Sequence, residues 1–400
     1  MGRFLLLLMA LAAPALADPP ASRGYSPLSE SWTMADLPAW LDAFHTRALA
    51  AGITEATWAR ARPAMVARED VLERDRNQAE FSRTIWDYLD RAVSEDRVAR
   101  GQEAMKTHAA TLARIEAAYH VDPAVVVAIW GLESDYGANR GDVPVLAGLA
   151  TLASSTRRAA YFESELVAAL RLVQDGADPG LKGSWAGALG HTQFMPSNVL
   201  GLAVDFDGDG QRALWADDPT DALASTAAFL AHWGWGEGPW GVEVTLPRDI
   251  DWSLVGERIK KPGADWAALG VEPVSETLPD CQASLLAPAG HRGAAFLICP
   301  NFHAIEAYNP ADAYVIAVGH LSDRIKGAAP LQHDWPRDLR ALTLAERIAL
   351  QQGLTRAGFD TKGADGKIGP NTQAAIRAFQ KAKGLIPDGY ASPDLLPLLP

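Results

Sequence analysis

The chain has 400 residues, 48% of them apolar, and a formal charge of −13. That length suffices for two or three domains with sizeable cores. The acidic balance argues against nucleic acid as a partner, and no basic amphipathic helix suggests membrane binding.

Arg3, the apolar run Phe4 to Ala13 and the small-residue site Ala15-Leu16-Ala17 have the form of a secretory signal peptide, residues 1–17, cleaved after Ala17. The run is too short for an ordinary membrane-spanning helix, and no cysteine follows the cleavage site to accept a lipid anchor. The expectation is a soluble chain exported to a bacterial periplasm, without a membrane anchor. Residues 18–33, rich in Pro and Ser, read as a loose lead-in.

From Met34 to Tyr119 the apolar spacing is helical, as in Leu37, Trp40, Leu41, Phe44 and then Phe81, Ile85, Tyr88, Leu89. Asp122-Pro123 is an N-cap followed by proline at the first helical position, and it opens the apolar run Ala124 to Leu132. Gly137 is the expected terminator. Glu133 therefore falls in the last turn of an apolar helix. Desolvation and the negative helix end both disfavour a charged carboxylate there, which suits a general acid. The alternative is a surface glutamate near a helix end, and local sequence alone does not choose between them.

Glu163 to Asp175 and Asp221 to Trp233 also read as helices, with glycine-rich loops at 176–190 and 201–210. In the segment Gly183 to Ser197, small residues allow close backbone approach, and Gln193 and Ser197 offer polar groups before a turn. Asp205, Asp207 and Asp209 alternate as oxygen donors ahead of Gly210, with Gln211 next, like the front half of an EF-hand loop. Such a donor set favours calcium over zinc. Position twelve is Ala216, so the closing carboxylate must be Asp217, Asp218 or Asp221. The alternative is a solvated turn that binds nothing.

Strand signals are sparse: Val242 to Leu246, and a hairpin of Ser284 to Ala287 with Ala294 to Ile298. The two cysteines, Cys281 and Cys299, flank that hairpin, and the export signal makes a disulfide the leading reading. Tyr308-Asn309, with Tyr314 downstream, can stack on and hydrogen-bond a sugar; the plainer reading is a turn with a buried tyrosine. Thirteen tryptophans suit either a sugar-binding cleft or core packing. After a boundary at residues 327–336, helices are expected at Leu344 to Arg356, Thr372 to Lys383 and Pro393 to Leu398.

Together, Gly131-Leu132-Glu133-Ser134-Asp135-Tyr136-Gly137, Thr156 to Phe162, Gly183 to Ser197, Asp205 to Gly210 and Tyr308-Asn309 resemble lytic murein transglycosylase B, the glycoside hydrolase family 103 enzymes. Asp365 to Thr372, Ala375 to Gln380 and Gly384-Leu385 resemble a type 1 peptidoglycan-binding domain. The resemblance implies a mainly α (α+β) chain. A lysozyme-like helical catalytic domain with a small β element, residues 34–326, would hold the calcium loop 205–221. A linker, 327–336, would lead to a small three-helix peptidoglycan-binding domain, 337–400.

It further implies that Glu133 is the catalytic residue and that Ser184 hydrogen-bonds it. Gln193, Tyr308, Asn309 and Tyr314 would line the substrate cleft. Arg157 and Arg158 would meet carboxylates of the peptide stems, unless they pair with Glu163 or Glu165. A structural calcium ion would sit on Asp205, Asp207, Asp209, Gln211 and Asp221, with no cofactor required for the chemistry. The partner would be peptidoglycan glycan strands, with other cell-wall enzymes as further candidates. The implied reaction cuts the MurNAc–GlcNAc bond and leaves 1,6-anhydro ends. Lysozyme-type hydrolysis, or a non-catalytic wall-binding protein, are the alternatives.

Overall fold

The computed structural model describes residues 32–76, 83–156, 158–275 and 277–400. The proposed signal peptide, nearly all of the lead-in, Phe81 and Arg157 lie outside the described residues. The architecture is mostly helical with two small sheets.

Asp122 caps the helix Pro123–Ser134 by accepting from the Ala124 N–H at 2.8 Å. Residues Ala124 to Gly131 are buried on every side. A helix apolar all round belongs at the centre of a bundle. It packs against Asp312–Ile325, Glu95–Thr107, Thr220–His232 and Ala109–Tyr119, forming the first hydrophobic core. A second core gathers Leu37–Ala50, Val145–Ser155, Ala159–Gln174 and Pro196–Leu202. Tyr308 packs on both cores, at their seam.

The strands are β1 (Val143–Pro144), β2 (Lys182–Gly183), β3 (Gly241–Thr245), β4 (Lys260–Pro262), β5 (Glu272–Pro273), β6 (Gln282–Leu286) and β7 (Ala295–Ile298). β1 pairs with β2, pinning the start of the Gly183 loop. The other five form an antiparallel sheet in the order β4-β6-β7-β3-β5, which covers a third core around Trp266. β6 and β7 are the expected hairpin, and Cys281 and Cys299 are joined across its open end, with Cα atoms 6.1 Å apart.

The C-terminal helices Leu344–Arg356 and Pro370–Ala382 and the 3-10 segment Pro393–Leu398 enclose a fourth core around Leu350, Ile376 and Phe379. The segment before them is strapped to the main body. Gln332 and His333 donate their N–H groups to Glu243 at 2.9 and 2.8 Å. Trp335 packs near Trp86, with ring centroids 6.3 Å apart, and Arg337 forms a two-pronged pair with Asp90 at 2.7 and 2.9 Å. Asp388 then accepts from both the N–H (3.0 Å) and the Nδ1 (2.6 Å) of His291. Among the described residues no single helix is long and apolar enough to cross a membrane.

Candidate active site

Glu133 is half-buried, one residue before the end of its helix. Tyr314, on the helix Asp312–Ile325, donates its hydroxyl to Glu133 Oε1 at 2.6 Å. Tyr314 is 5% exposed. Burial pushes its phenol well above the usual range, and the Glu133 charge adds to this. The tyrosine thus stays a donor. Tyr308 behaves alike: burial and then Glu133 raise its phenol, and it donates to the Thr192 carbonyl at 2.5 Å.

The helix stops at Ser134, three residues before Gly137, and the left-handed cap is Asp135. Asp135, Tyr136 and Gly137 have φ of 55°, 57° and 86° in succession. Two non-glycine residues in that region are strained, so other groups must hold them. Arg100 does so, reaching Asp135 Oδ1, Oδ2 and its carbonyl at 2.8, 2.9 and 2.8 Å. Tyr136 donates to the Arg97 carbonyl at 2.7 Å. Its ring fills the space where a Cβ at Gly131 would sit, 2.6 Å away. Asp135 is therefore turned to Arg100 and does not join Glu133 as a second acid.

Among the described residues Ser184, expected to hydrogen-bond Glu133, makes no hydrogen bond to it. Its Oγ accepts from the Ala188 N–H at 2.9 Å and closes its own turn. Gln193, at φ 54°, donates its amide to the carbonyls of Gly190 and Arg140 at 2.8 and 3.2 Å, fixing the loop beside the seam. Asn309 also serves a turn, accepting from the Ala311 N–H at 3.2 Å. Arg158 is exposed and lies over the Tyr161 ring at 4.5 Å. Neither expected acid takes it: Glu163 pairs with Arg47 at 2.7 Å, and the buried Glu165 accepts from Ser197 N and Oγ at 3.0 and 2.7 Å.

Asp205, Asp207, Asp209 and Asp221 bring carboxylate oxygens within 4.8 Å of one another. Of the three closing candidates, Asp221 is the one that turns inward. It is 5% exposed and accepts from the Phe206 N–H at 2.8 Å. Four carboxylates converging on one point fit a hard divalent cation. Burial raises the Asp221 pKa above the usual carboxylate range.

Sequence reasoning missed His191, Trp130 and Arg140, which join the last turn of the Glu133 helix to residues 215–217. Trp130 Nε1 donates to His191 Nδ1 at 3.1 Å, and Ser134 Oγ donates to the His191 carbonyl at 2.5 Å. No periodicity links residues so far apart; the Trp-Gly-Leu-Glu and Gly-His-Thr-Gln runs were the available signal. A further donor group, Glu257, His303 and Glu306, lies within 4.8 Å of one another beside the Tyr308 turn.

Residues 36–323 match the transglycosylase SLT domain family, and residues 343–399 match a peptidoglycan binding domain family. The fold is similar to the crystal structure of SltB3 from Pseudomonas aeruginosa in complex with NAG-anhNAM-pentapeptide. The TM-score is 0.86 at 45% identity, over 90% of this chain and 98% of that one. It is also similar to Escherichia coli Slt35 in complex with calcium, with TM-score 0.61 at 30% identity over 73% and 92% of the two chains. Membrane-bound lytic murein transglycosylase B of Escherichia coli is 35% identical over 242 residues, 60% of this chain and 66% of that relative, just under two thirds of its length. The chain belongs to the transglycosylase SLT domain family, enzymes that act on peptidoglycan, and carries a peptidoglycan binding domain behind its catalytic body.

Proposed function

We propose that this chain is a lytic transglycosylase that cuts the β-1,4 bond between N-acetylmuramic acid and N-acetylglucosamine. The observation that carries the reading is a half-buried carboxylate, Glu133, aimed by a buried tyrosine, while the neighbouring Asp135 is held away by Arg100. Ordinary glycosidases need two carboxylates across the bond. One suffices when the substrate supplies the rest. Protonated Glu133 gives its proton to the glycosidic oxygen as the C1–O bond breaks. The substrate's 2-acetamido group stabilises the cationic C1. Glu133, now charged, takes the proton of the C6 hydroxyl as that oxygen bonds to C1. Acid and base are restored, no water is consumed, and a 1,6-anhydro end results. Tyr314 steadies the charged intermediate form of Glu133. That a relative binds NAG-anhNAM-pentapeptide supports the same product class.

Tyr308, Asn309, Gln193 and Ser184 shape the cleft wall, and Arg157 and Arg158 serve acidic groups of the stem peptide. Asp205, Asp207, Asp209, Gln211 and Asp221 hold a structural calcium ion that takes no part in the chemistry; a solved relative in complex with calcium supports this. Residues 1–17 export the chain to the periplasm, and residues 337–400 grip the wall. Mass spectrometry of murein digested by the purified chain tests the central claim. Anhydro products are expected; products heavier by one water, alone, would replace the lyase with a hydrolase. Wall binding with no cleavage would make the chain a scaffold.

A further inference from the structure

Three residues around Glu133 converge on His191, two on its imidazole and one on its backbone carbonyl. Trp130, three residues before Glu133, points its indole N–H at His191 Nδ1 (3.1 Å). Ser134, the next residue, donates to the His191 carbonyl (2.5 Å). Gly137, four residues on, leaves room for the ring: a Cβ there would stand 2.6 Å from His191 Cε1 and Nδ1. Trp130 and Ser134, four apart, share one face of the helix, and the left-handed turn after it brings Gly137 to the same imidazole. His191 itself is 4% exposed.

The other side of His191 faces the segment that closes the acidic loop. Its N–H donates to the Leu214 carbonyl at 3.0 Å, and its Nε2 lies 2.9 Å from the Ala216 carbonyl. Arg140 runs alongside, donating to the carbonyls of Trp215 and Ala216 at 3.2 and 2.6 Å and to Asp217 Oδ1 at 3.0 Å. Four residues beyond Asp217 comes Asp221, which fastens the start of the loop through the Phe206 N–H.

The tautomer follows from the partners. Indole N–H is a donor only, so Nδ1 must be a bare acceptor and Nε2 must carry the proton, given to Ala216 O. A neutral imidazole offers an acceptor and a donor at opposite ends of one rigid ring. That is what joining a helix to a loop segment across this gap requires.

We propose that His191 is a positioning residue that locks the last turn of the Glu133 helix to residues 214–217, so that a cation in the 205–221 loop and the aim of Glu133 share one rigid frame. The inference rests on the reading of Glu133 as acid and base and on the cation loop given above. Emptying or filling the loop is felt at Trp130 through the imidazole; loss of that ring removes this side-chain link, while the backbone bonds of residue 191 to Ser134 and Leu214 remain.

The test uses the full mature chain with calcium chloride as the probe and a soluble glycan as substrate. In the wild type, the Trp130 indole N–H resonance, assigned by its loss in Trp130→Phe, moves as calcium is added. In His191→Ala it no longer responds, although calcium still binds by dialysis. With that variant, kcat falls roughly 10- to 100-fold, the scale of a small misplacement of a reacting group, while KM stays within about two-fold. His191→Gln, which can still donate toward Ala216, recovers part of kcat; His191→Asn, which can only meet Trp130, does not. If the alanine chain does not fold, the Gln and Asn pair carries the same comparison. A Trp130 resonance indifferent to calcium in the wild type, or a folded His191→Ala chain with unchanged kcat, overturns the proposal. A wild type inactive on glycan would instead defeat the reading of Glu133, and the Trp130 response would still judge the clamp.

Discussion

Tyr314 Oη lies 2.6 Å from Glu133 Oε1, joining residues 181 positions apart. A phenol donor favours the charged carboxylate and fixes its direction. Tyr314→Phe should lower kcat on murein by roughly 10- to 100-fold with little change in KM, and the limb of the pH–rate profile that reports the acid should move to higher pH. Glu133→Gln should cost about 100- to 10,000-fold. An unaltered profile in Tyr314→Phe would remove the tyrosine from the mechanism.

Gly137 sits at φ +86° with His191 where a Cβ would go. Gly137→Ala meets both the backbone penalty and the imidazole. It should destabilise the chain by about 2 kcal/mol or more in urea unfolding, and it should reduce activity beyond that loss by displacing the turn that carries Glu133. A fully active, fully stable variant would count against the tight packing described.

The four carboxylates of the 205–221 loop repel one another until a cation joins them. Added calcium should raise the melting temperature and chelator should lower it. Asp209→Asn should blunt the response, and Asp221→Asn should abolish it, because Asp221 is the buried member. Identical melting curves with and without calcium would show that the loop is an ordinary turn.

Half-buried Asp312 and buried His320 shift stability with pH in opposite senses. Burial, then Glu257 and Glu306, raise the Asp312 carboxyl from 3.8 to about 6. Burial, then Arg324, lowers the His320 imidazole from 6.5 to about 4. Asp312 keeps its proton longer when folded, so its contribution to stability falls as pH rises from about 4 to 6. His320 gains a proton sooner when unfolded, so its contribution rises with pH between about 4 and 6.5. Each window is worth about 3 kcal/mol. The two slopes oppose in the wild type. Asp312→Asn should steepen the loss of stability toward acid, and His320→Gln should flatten or reverse it; parallel pH–stability curves for the two variants would refute the pairing.

The core helix was legible because its start is written locally: Asp122-Pro123 and an unbroken apolar run. Its end was not. Asp135 and Tyr136 adopt left-handed backbone because Arg100 and Arg97, some 35 residues earlier, hold them there. Helix Val145–Ser155 escaped notice because it is buried nearly all round and shows no amphipathic period. β5 is two residues long and includes Pro273, so it carries no alternation to read. The hairpin and its disulfide were readable from turn and cysteine positions. One partner of Glu133 was not: Tyr314 arrives from a helix far downstream, with no local pattern to announce it.

The strap from Gln332 to Arg337, with the Asp388–His291 contact beyond it, also decides where the chain can be divided. A cut after Gly327 strips Glu243 of its partners and should lower the melting temperature of the catalytic body; a cut after Ala341 should spare it while weakening sedimentation with sacculi. Equal melting temperatures for the two truncations would show the strap to be idle. A module strapped in this way is a gauge rather than a grapple. If it holds a glycan strand, that strand would meet the cleft at one set offset, and the spacing of cuts would follow the body's shape.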